Sequence, residues 1–335
     1  MFEQVNKILS RNIHFCDVGA RWGISEPWEQ LKDNIDLVYF EPDKEEFEVL
    51  KKRMRSNDKG YDCALYSESI PVELNLMKAR ECSSILQPNS SFLDRFPKEL
   101  LEMYEIEKVV SIQAKSIDDI YTSDKNLSID FIKLDVQGAE LDILKGGKFF
   151  LENNLIGAEI EVEFQPLYKD QPLFSDLDIY MRNNTGLELY DLTRHFCKYR
   201  SGEKNCSKKG QMLFGDALYL RSPFTIIEWC KRFDEKEAAN KIISACVTGM
   251  IYGYLDYSLA IIQQKGIENI LDVTQIKKIE SVLVKYSRSL NLEFRGSNRI
   301  SAVFSYLERI FQRTHKGWAS SEGRLGSRKA LGLFN

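Results

Sequence analysis

Phe131-Ile132-Lys133-Leu134-Asp135-Val136-Gln137-Gly138-Ala139-Glu140-Leu141-Asp142-Ile143-Leu144-Lys145-Gly146 is the stretch that decides the fold. Ile129 to Leu134 is an apolar run of strand length, Ala139 to Leu151 has helical spacing, and a glycine-bearing turn joins them. Open α/β sheets bind ligands beyond the carboxyl ends of their strands, so Asp135 is expected to face a crevice and Gly138 to permit close approach. Glu140 falls in the first helical turn, where the macrodipole favours an anion; that local chemistry explains it nearly as well as a functional role does. Lys133 has no such local explanation, being a cation inside a strand between Ile132 and Leu134.

Working outward, the same grammar recurs upstream. Residues 1–12 read as a short amphipathic helix with Phe2, Val5, Ile8 and Leu9 on one face. Ile13 to Val18 is a strand ended by the loop Asp17-Val18-Gly19-Ala20-Arg21-Trp22-Gly23, and a helix is expected from about Glu26. Gly19 and Gly23 allow a sharp turn and close backbone approach. The spacing is not the G-x-G-x-x-G of pyrophosphate sites; an acidic D-x-G-x-x-x-G loop suits a ligand with an amino group, Asp17 being placed to meet it, or else is a plain strand-to-helix turn. The next strand, Asp36 to Phe40, ends at Glu41-Pro42-Asp43 before the helical run KEEFEVLKKRMRS. A carboxylate about 20 residues after a glycine loop, at the tip of strand two, is where such sheets bind ribose hydroxyls. Glu41 fits that position; the alternative makes Glu41 a solvated charge, and Asp43 reads as a helix N-cap. Tyr61 to Leu65 reads as a third strand.

Downstream, Leu155 to Phe164 is a strand, Phe174 to Asn184 a helix, and Leu187 to Leu192 and Met212 to Arg221 are strands. Alternation of strand, turn and helix predicts an α/β fold with a parallel sheet wound on both faces. From Pro223 the strand signal vanishes: helical runs fill residues 223–313, and 314–335 reads as a basic flexible tail. The helices are expected to serve as an oligomer interface, a lid or a docking module, and the tail admits contact with an anionic membrane surface.

Composition excludes several functions. The 335 residues carry 46 Lys+Arg against 50 Asp+Glu, a net charge of −4 that gives no footprint for nucleic acid. No apolar run is long enough to span a membrane. The N-terminal stretch lacks a signal-peptide apolar core, so a cytoplasmic location is expected. Seven scattered cysteines without a C-x-x-C pair suit reduced thiols, and with three histidines no metal site is predicted.

The DVGARWG loop, FEPD and above all FIKLDVQGAELDILKGG resemble the FkbM family of S-adenosylmethionine-dependent methyltransferases. The resemblance extends through Ser83-Ser84, Ser116-Ile117-Asp118-Asp119, Glu159-Ile160-Glu161 and Gly215-Asp216-Ala217-Leu218, covers about residues 13–221, and departs at Gln137, where the family commonly has Glu. It implies a Rossmann-like class I methyltransferase fold with a seven-stranded sheet in residues 1–222, followed by the all-helical extension. It implies S-adenosylmethionine as cofactor. Asp17, Gly19, Ala20 and Gly23 would cradle its methionine part, Glu41 would hold its ribose, and the segment from Asp62 to Ala64 and Leu65 would lie near its adenine. Asp135 is expected near the methyl group, binding cofactor and serving catalysis, with His195 a candidate base. The resemblance implies an O-methyltransferase acting on a hydroxyl acceptor, and a sugar of a surface polysaccharide or glycolipid is the preferred one. A small-molecule, polyketide-like acceptor and an inactive cofactor-binding scaffold are the alternatives. Trp22, Trp28, Tyr168, Tyr190, Phe196 and Tyr199 are candidates for a sugar platform, and Lys198, Arg200, Lys204, Lys208 and Lys209 for contacts to an anionic glycan, against the plainer reading as core residues and a solvated basic loop.

Overall fold

The computed structural model describes residues 5, 7–19, 24, 28–202, 210–290, 300, 303–304, 306–307, 318–323 and 325. Twelve strands occur among them: β1 (Ile13–Val18), β2 (Ile35–Phe40), β3 (Lys59–Tyr61), β4 (Ala64–Leu65), β5 (Pro71–Met77), β6 (Ile106–Lys115), β7 (Phe131–Leu134), β8 (Gly157–Glu163), β9 (Leu187–Leu192), β10 (Arg194–Cys197), β11 (Gln211–Arg221) and β12 (Ala319–Glu322). The main sheet runs β12-β10-β11-β8-β7-β1-β2-β3, with β9 also paired to β11. From β8 to β3 all neighbours are parallel; β11 and the strands beyond it are antiparallel.

The sheet therefore has nine strands where seven were expected. The reason is the length of β11, which pairs with β8 along one edge while its other edge is divided. Gln211, Met212 and Phe214 meet β10, and Ala217 to Arg221 meet β9. β10 in turn recruits β12, whose sequence Ala-Ser-Ser-Glu has no apolar alternation to betray a strand. Part of the stretch read as a flexible tail is thus the sheet's edge strand; 314–317, 324 and 326–335 lie outside the described residues. A separate three-stranded sheet, β4-β6-β5, sits beside the main one, so the expected strand Tyr61–Leu65 is split between two sheets.

Neighbouring residues of each central strand point to opposite faces. Phe15, Phe131, Leu218 and Leu220 enter one core, whereas Cys16, Ile132, Ala217 and Tyr219 enter the other. The second core is roofed by the helices between β6 and β9. The first is roofed by helices Ile226–Cys230, Glu235–Ile251, Leu255–Ile262 and Val273–Leu290. Thirteen of the seventeen residues of Glu235–Ile251 are buried, so this helix is an internal element of the sheet's packing. The change of texture at Ser222-Pro223 consequently marks a change of sheet face within one core rather than a gap between cores.

A buried ionic cluster pins that helical layer. Lys241, 1% exposed, approaches Asp130 at 2.8 Å, and Arg11 approaches the same carboxylate at 2.6 Å. Burial opposes ionisation of Asp130, yet Lys241 and Arg11 hold its carboxyl far below the usual carboxylate range. At the amino end Val5 is helical and buried and Ile8 is buried, residues 7–12 are turn, bend or irregular where the expected helix would continue, and residues 1–4 and 6 lie outside the description.

Candidate active site

The carboxyl ends of the parallel strands meet a cavity of about 400 Å³. Its floor is set by a tight crossing. Gly19 has φ +83°, and a Cβ there would stand 2.1 Å from the Asp135 carbonyl oxygen, so only glycine lets β1 and β7 end side by side in this way. The Gly19 amide donates to Phe40 O at 3.3 Å and the Asp135 amide to Val18 O at 3.2 Å, which ties the three strand ends together. Gly19, Glu41, Cys63, Ala64, Leu65, Asp135 and Val136 line this half of the cavity.

Glu41 is buried, and its Oε1 accepts the Asp43 amide at 2.8 Å, which fixes the carboxylate at the tip of β2. Asp43 caps helix Lys44–Lys51 by accepting from the Glu45 and Glu46 amides. Asp43 lines the cavity beside Glu41 as well as capping the helix. Asp62 is exposed and stands outside the cavity wall, where Cys63, Ala64 and Leu65 are found instead. Ala20 and Gly23 lie outside the described residues.

Beneath the floor lies a strongly anionic group around a single lysine. Lys133 Nζ is 3.9 Å from Asp17 Oδ1 and 3.6 Å from Asp135 Oδ2. Burial opposes the ammonium, but Asp17, Asp135, Glu159 and Asp216 together hold it above its ordinary value. Asp17 is fully buried, and neither of its carboxylate oxygens has a hydrogen-bond partner among the described residues. Burial, reinforced by Asp135 and opposed by Lys133, pushes its carboxyl up to about 6. Asp17 is beneath the cavity wall rather than part of it. Glu159 accepts the Tyr252 hydroxyl at 2.7 Å, and Tyr252 accepts the Trp28 indole N–H at 3.0 Å. Burial, with Asp216 adding to it, raises Glu159 to about 7. A buried carboxylate lacking a donor, in a group with more carboxylates than cations, fits a cationic ligand such as the ammonium and sulfonium of S-adenosylmethionine.

Gln137 connects this half to the other. It adopts φ +61°, which a non-glycine residue holds only when its surroundings compel it. Its Nε2 donates to Asp135 Oδ1 at 3.1 Å and to Glu161, its Oε1 accepts the Tyr168 hydroxyl at 3.1 Å, and its carbonyl accepts Ser84 Oγ at 2.7 Å. The amide is suited to this place because a carboxylate would carry no donor for Asp135 and Glu161. Glu140 accepts the Val136 and Gly138 amides at 2.9 Å, so it holds the turn that carries Asp135. Although no metal was expected, Glu140, Glu161 and Glu163 bring ligand atoms within 4.8 Å of one another and are the described residues placed to hold a cation. Burial pushes the carboxyls of Glu161 and Glu163 well above the ordinary range, with Asp135 and their acidic neighbours reinforcing it.

His195 lines the far half of the same cavity, so the structure brings it together with Asp135. Its ring stacks on Phe214 with centroids 4.6 Å apart, Nδ1 lies 2.9 Å from Ser321 Oγ, and Nε2 lies 3.8 Å from Asp216 Oδ2. Of the six aromatic residues proposed as a sugar platform, Phe196 lines the cavity. Trp28 and Tyr168 are core residues, Tyr190 packs against Tyr254 and Tyr257, Tyr199 stacks on Phe96, and Trp22 lies outside the described residues. Tyr104, Phe214 and Trp318 line it too and were missed. Trp318 sits in a segment read as tail, and only its place before β12 reveals it. Lys198 is buried and Arg200 pairs with Asp94 at 2.8 Å, while Lys204, Lys208 and Lys209 lie outside the description.

Comparison with known proteins agrees with this geometry. The chain matches the model of the methyltransferase FkbM domain over residues 17–187, just over half its length. No curated protein matches it. Among solved structures it is similar to the methyltransferase FkbM from Methylobacillus flagellatus KT, at 17% identity over 62% of this chain, with a TM-score of 0.35. This chain spans 43% of that protein's length. It is also similar to magnesium protoporphyrin IX methyltransferase from Synechocystis PCC 6803 with bound SAM, at 8% identity over 66% of this chain and 79% of that one, TM-score 0.33. M. capricolum TrmK in complex with S-adenosyl-homocysteine is similar at 9% identity over 84% of this chain and 95% of that one, TM-score 0.30. Similarities of that size decide nothing alone, and the assignment rests on the domain match. The chain belongs to the FkbM methyltransferase family.

Proposed function

We propose that the protein is an O-methyltransferase that methylates a sugar hydroxyl of a surface polysaccharide or glycolipid. The observation that carries this reading is the continuity of one cavity, from Gly19, Glu41 and Ala64 at one end to His195 and Trp318 at the other. When bound, the cofactor supplies an electrophilic methyl group on a sulfonium. The Gly19 turn and Ala64 admit it closely, Glu41 accepts from its ribose hydroxyls, and the anionic group around Lys133 balances its cationic centres. Asp135, at the junction of the two halves, positions the reacting atoms. His195 takes the acceptor hydroxyl proton, and Asp216 at 3.8 Å from Nε2 stabilises the resulting imidazolium.

The sugar follows from the wall of the far half. Trp318, Phe196 and Tyr104 offer flat apolar surface, while Glu161, Glu163 and Ser320 offer hydroxyl-binding groups. The six described cysteines are free and buried, in keeping with a cytoplasmic setting. The test is transfer of labelled methyl from S-adenosylmethionine to polysaccharide and glycolipid fractions. Label that resists mild alkali and is released as a methylated monosaccharide supports the reading. Alkali-labile label, or label on protein or nucleic acid alone, refutes it.

A further inference from the structure

We propose that the protein carries a second ligand site, for a phosphoryl group, at the end of the main sheet's strands opposite the methyl-transfer cavity. A second cavity of about 400 Å³ opens there, and four of its lining residues, Lys148, Arg182, Arg221 and Arg232, are cations against one carboxylate, that of Glu152. Arg182 is already engaged by Asp178 at 2.7 Å, which leaves three positive groups to account for.

Arg221 is the unusual one. It is 3% exposed, and among the described residues it forms no ion pair. Its Nε donates to Leu155 O at 2.7 Å and its Nη2 to Glu152 O at 3.3 Å, while Nη1 has no acceptor among the described residues. Nη1 lies against Gly186, where a Cβ would stand 2.9 Å from it, and both residues line the cavity. The Arg221 and Arg232 guanidinium carbons lie 4.0 and 5.8 Å from the centroid of the same Trp229 ring, so two like charges are held together at one indole. Burial, reinforced by Arg232 and opposed by Tyr257, Cys230 and Glu152, lowers Arg221 to about 9, the cost of a buried guanidinium that no ion pair among the described residues offsets. Capping the carbonyls of Leu155 and Glu152 explains two of its donors. It does not explain a cavity in front of the third, or the presence of Arg232 and Lys148 around it. Cations converging from three elements, the start of helix Lys148–Asn154, the end of β11 and the segment after Ile226–Cys230, suit a tetrahedral dianion better than a planar carboxylate.

The site is separate from methyl transfer. Gly157 at the start of β8 pairs with Leu220, next to Arg221, and Glu163 at its end pairs with Phe214 beside the first cavity. At ~3.3 Å per residue the two sites stand about 20 Å apart. A phosphoryl group here therefore belongs to a free ion or small ester, or to a distant part of a long acceptor.

The experiment is calorimetric titration of the full chain with inorganic phosphate and with a hexose monophosphate, each against chloride at equal ionic strength. Both are repeated on Lys148→Ala/Arg232→Ala, which alters two exposed side chains. Saturable binding of either probe that weakens at least tenfold in the variant, with S-adenosylhomocysteine affinity unchanged in the same sample, supports the site. Tighter binding of the ester assigns it to a phosphorylated molecule, and equal binding to the free ion. Heats indistinguishable from chloride, or equal affinity in the variant, overturn the proposal.

Discussion

Asp17→Asn should make the free protein more stable while it weakens cofactor binding. The carboxylate of Asp17 is fully buried, neither oxygen has a hydrogen-bond partner among the described residues, and burial outweighs Lys133 at 3.9 Å to raise its carboxyl to about 6 against an ordinary 3.8. As pH rises through 3.8 the unfolded chain releases this proton and the folded chain does not, so the group subtracts stability progressively until pH passes 6. At ~1.36 kcal/mol per pKa unit the gap from 3.8 to about 6 is worth about 3 kcal/mol, fully felt above pH 6. Protonated Asp and Asn are nearly isosteric, which makes low pH an internal baseline. Urea unfolding of both proteins at pH 5 and pH 8 should show a gain for the variant of about 3 kcal/mol at pH 8 and roughly half of that at pH 5. S-adenosylhomocysteine affinity should fall in parallel, because the variant no longer offers a charge to the ligand. A variant less stable than the parent at pH 8, or a difference that does not change between the two pH values, refutes the claim that burial of the Asp17 carboxylate outweighs its pairing with Lys133.

Three other substitutions probe the frame around it. Gly19→Ala places a methyl group 2.1 Å from the Asp135 carbonyl oxygen at φ +83°, and should abolish cofactor binding measured by calorimetry. Tyr252→Phe removes the donor to Glu159 and the acceptor of Trp28; urea unfolding should show a loss of about 1–3 kcal/mol. That loss should be larger at pH 8.5 than at pH 6, because Glu159 titrates near 7 and its anion is the form the hydroxyl serves. Lys241→Ala strips one partner from the buried carboxylate of Asp130 and should cost about 3–5 kcal/mol at neutral pH, read from chemical denaturation.

The central sheet was legible because its strands obey local rules. Ile13–Val18, Leu187–Leu192 and Phe174–Asn184 match the structure residue for residue, each being a run with an apolar pattern and a clear stop. The helix read as continuous from Ala139 to Leu151 breaks where the backbone turns, at Gly146-Gly147. β10 and β12 were invisible for a different reason. Four-residue strands such as Arg-His-Phe-Cys and Ala-Ser-Ser-Glu are made by the free edge of β11 and not by their own propensity. Of the carboxylates read at strand ends, Glu41 and Asp135 line the cavity and Asp17 lies beneath its wall. The site was unreadable where contacts join distant segments. Gln137 as the link between Asp135 and Glu161, and Tyr252 reaching Glu159 from the helical layer, depend on sheet register that sequence spacing does not contain.

The most direct test of the account is calorimetric titration of the parent protein and Glu41→Ala with S-adenosylhomocysteine. The account predicts stoichiometric binding to the parent and at least about tenfold weaker binding to the variant, the expected loss when charge-assisted hydrogen bonds to ribose hydroxyls are removed. No binding to the folded parent, or equal affinity in the two proteins, would contradict the placement of the cofactor in this cavity.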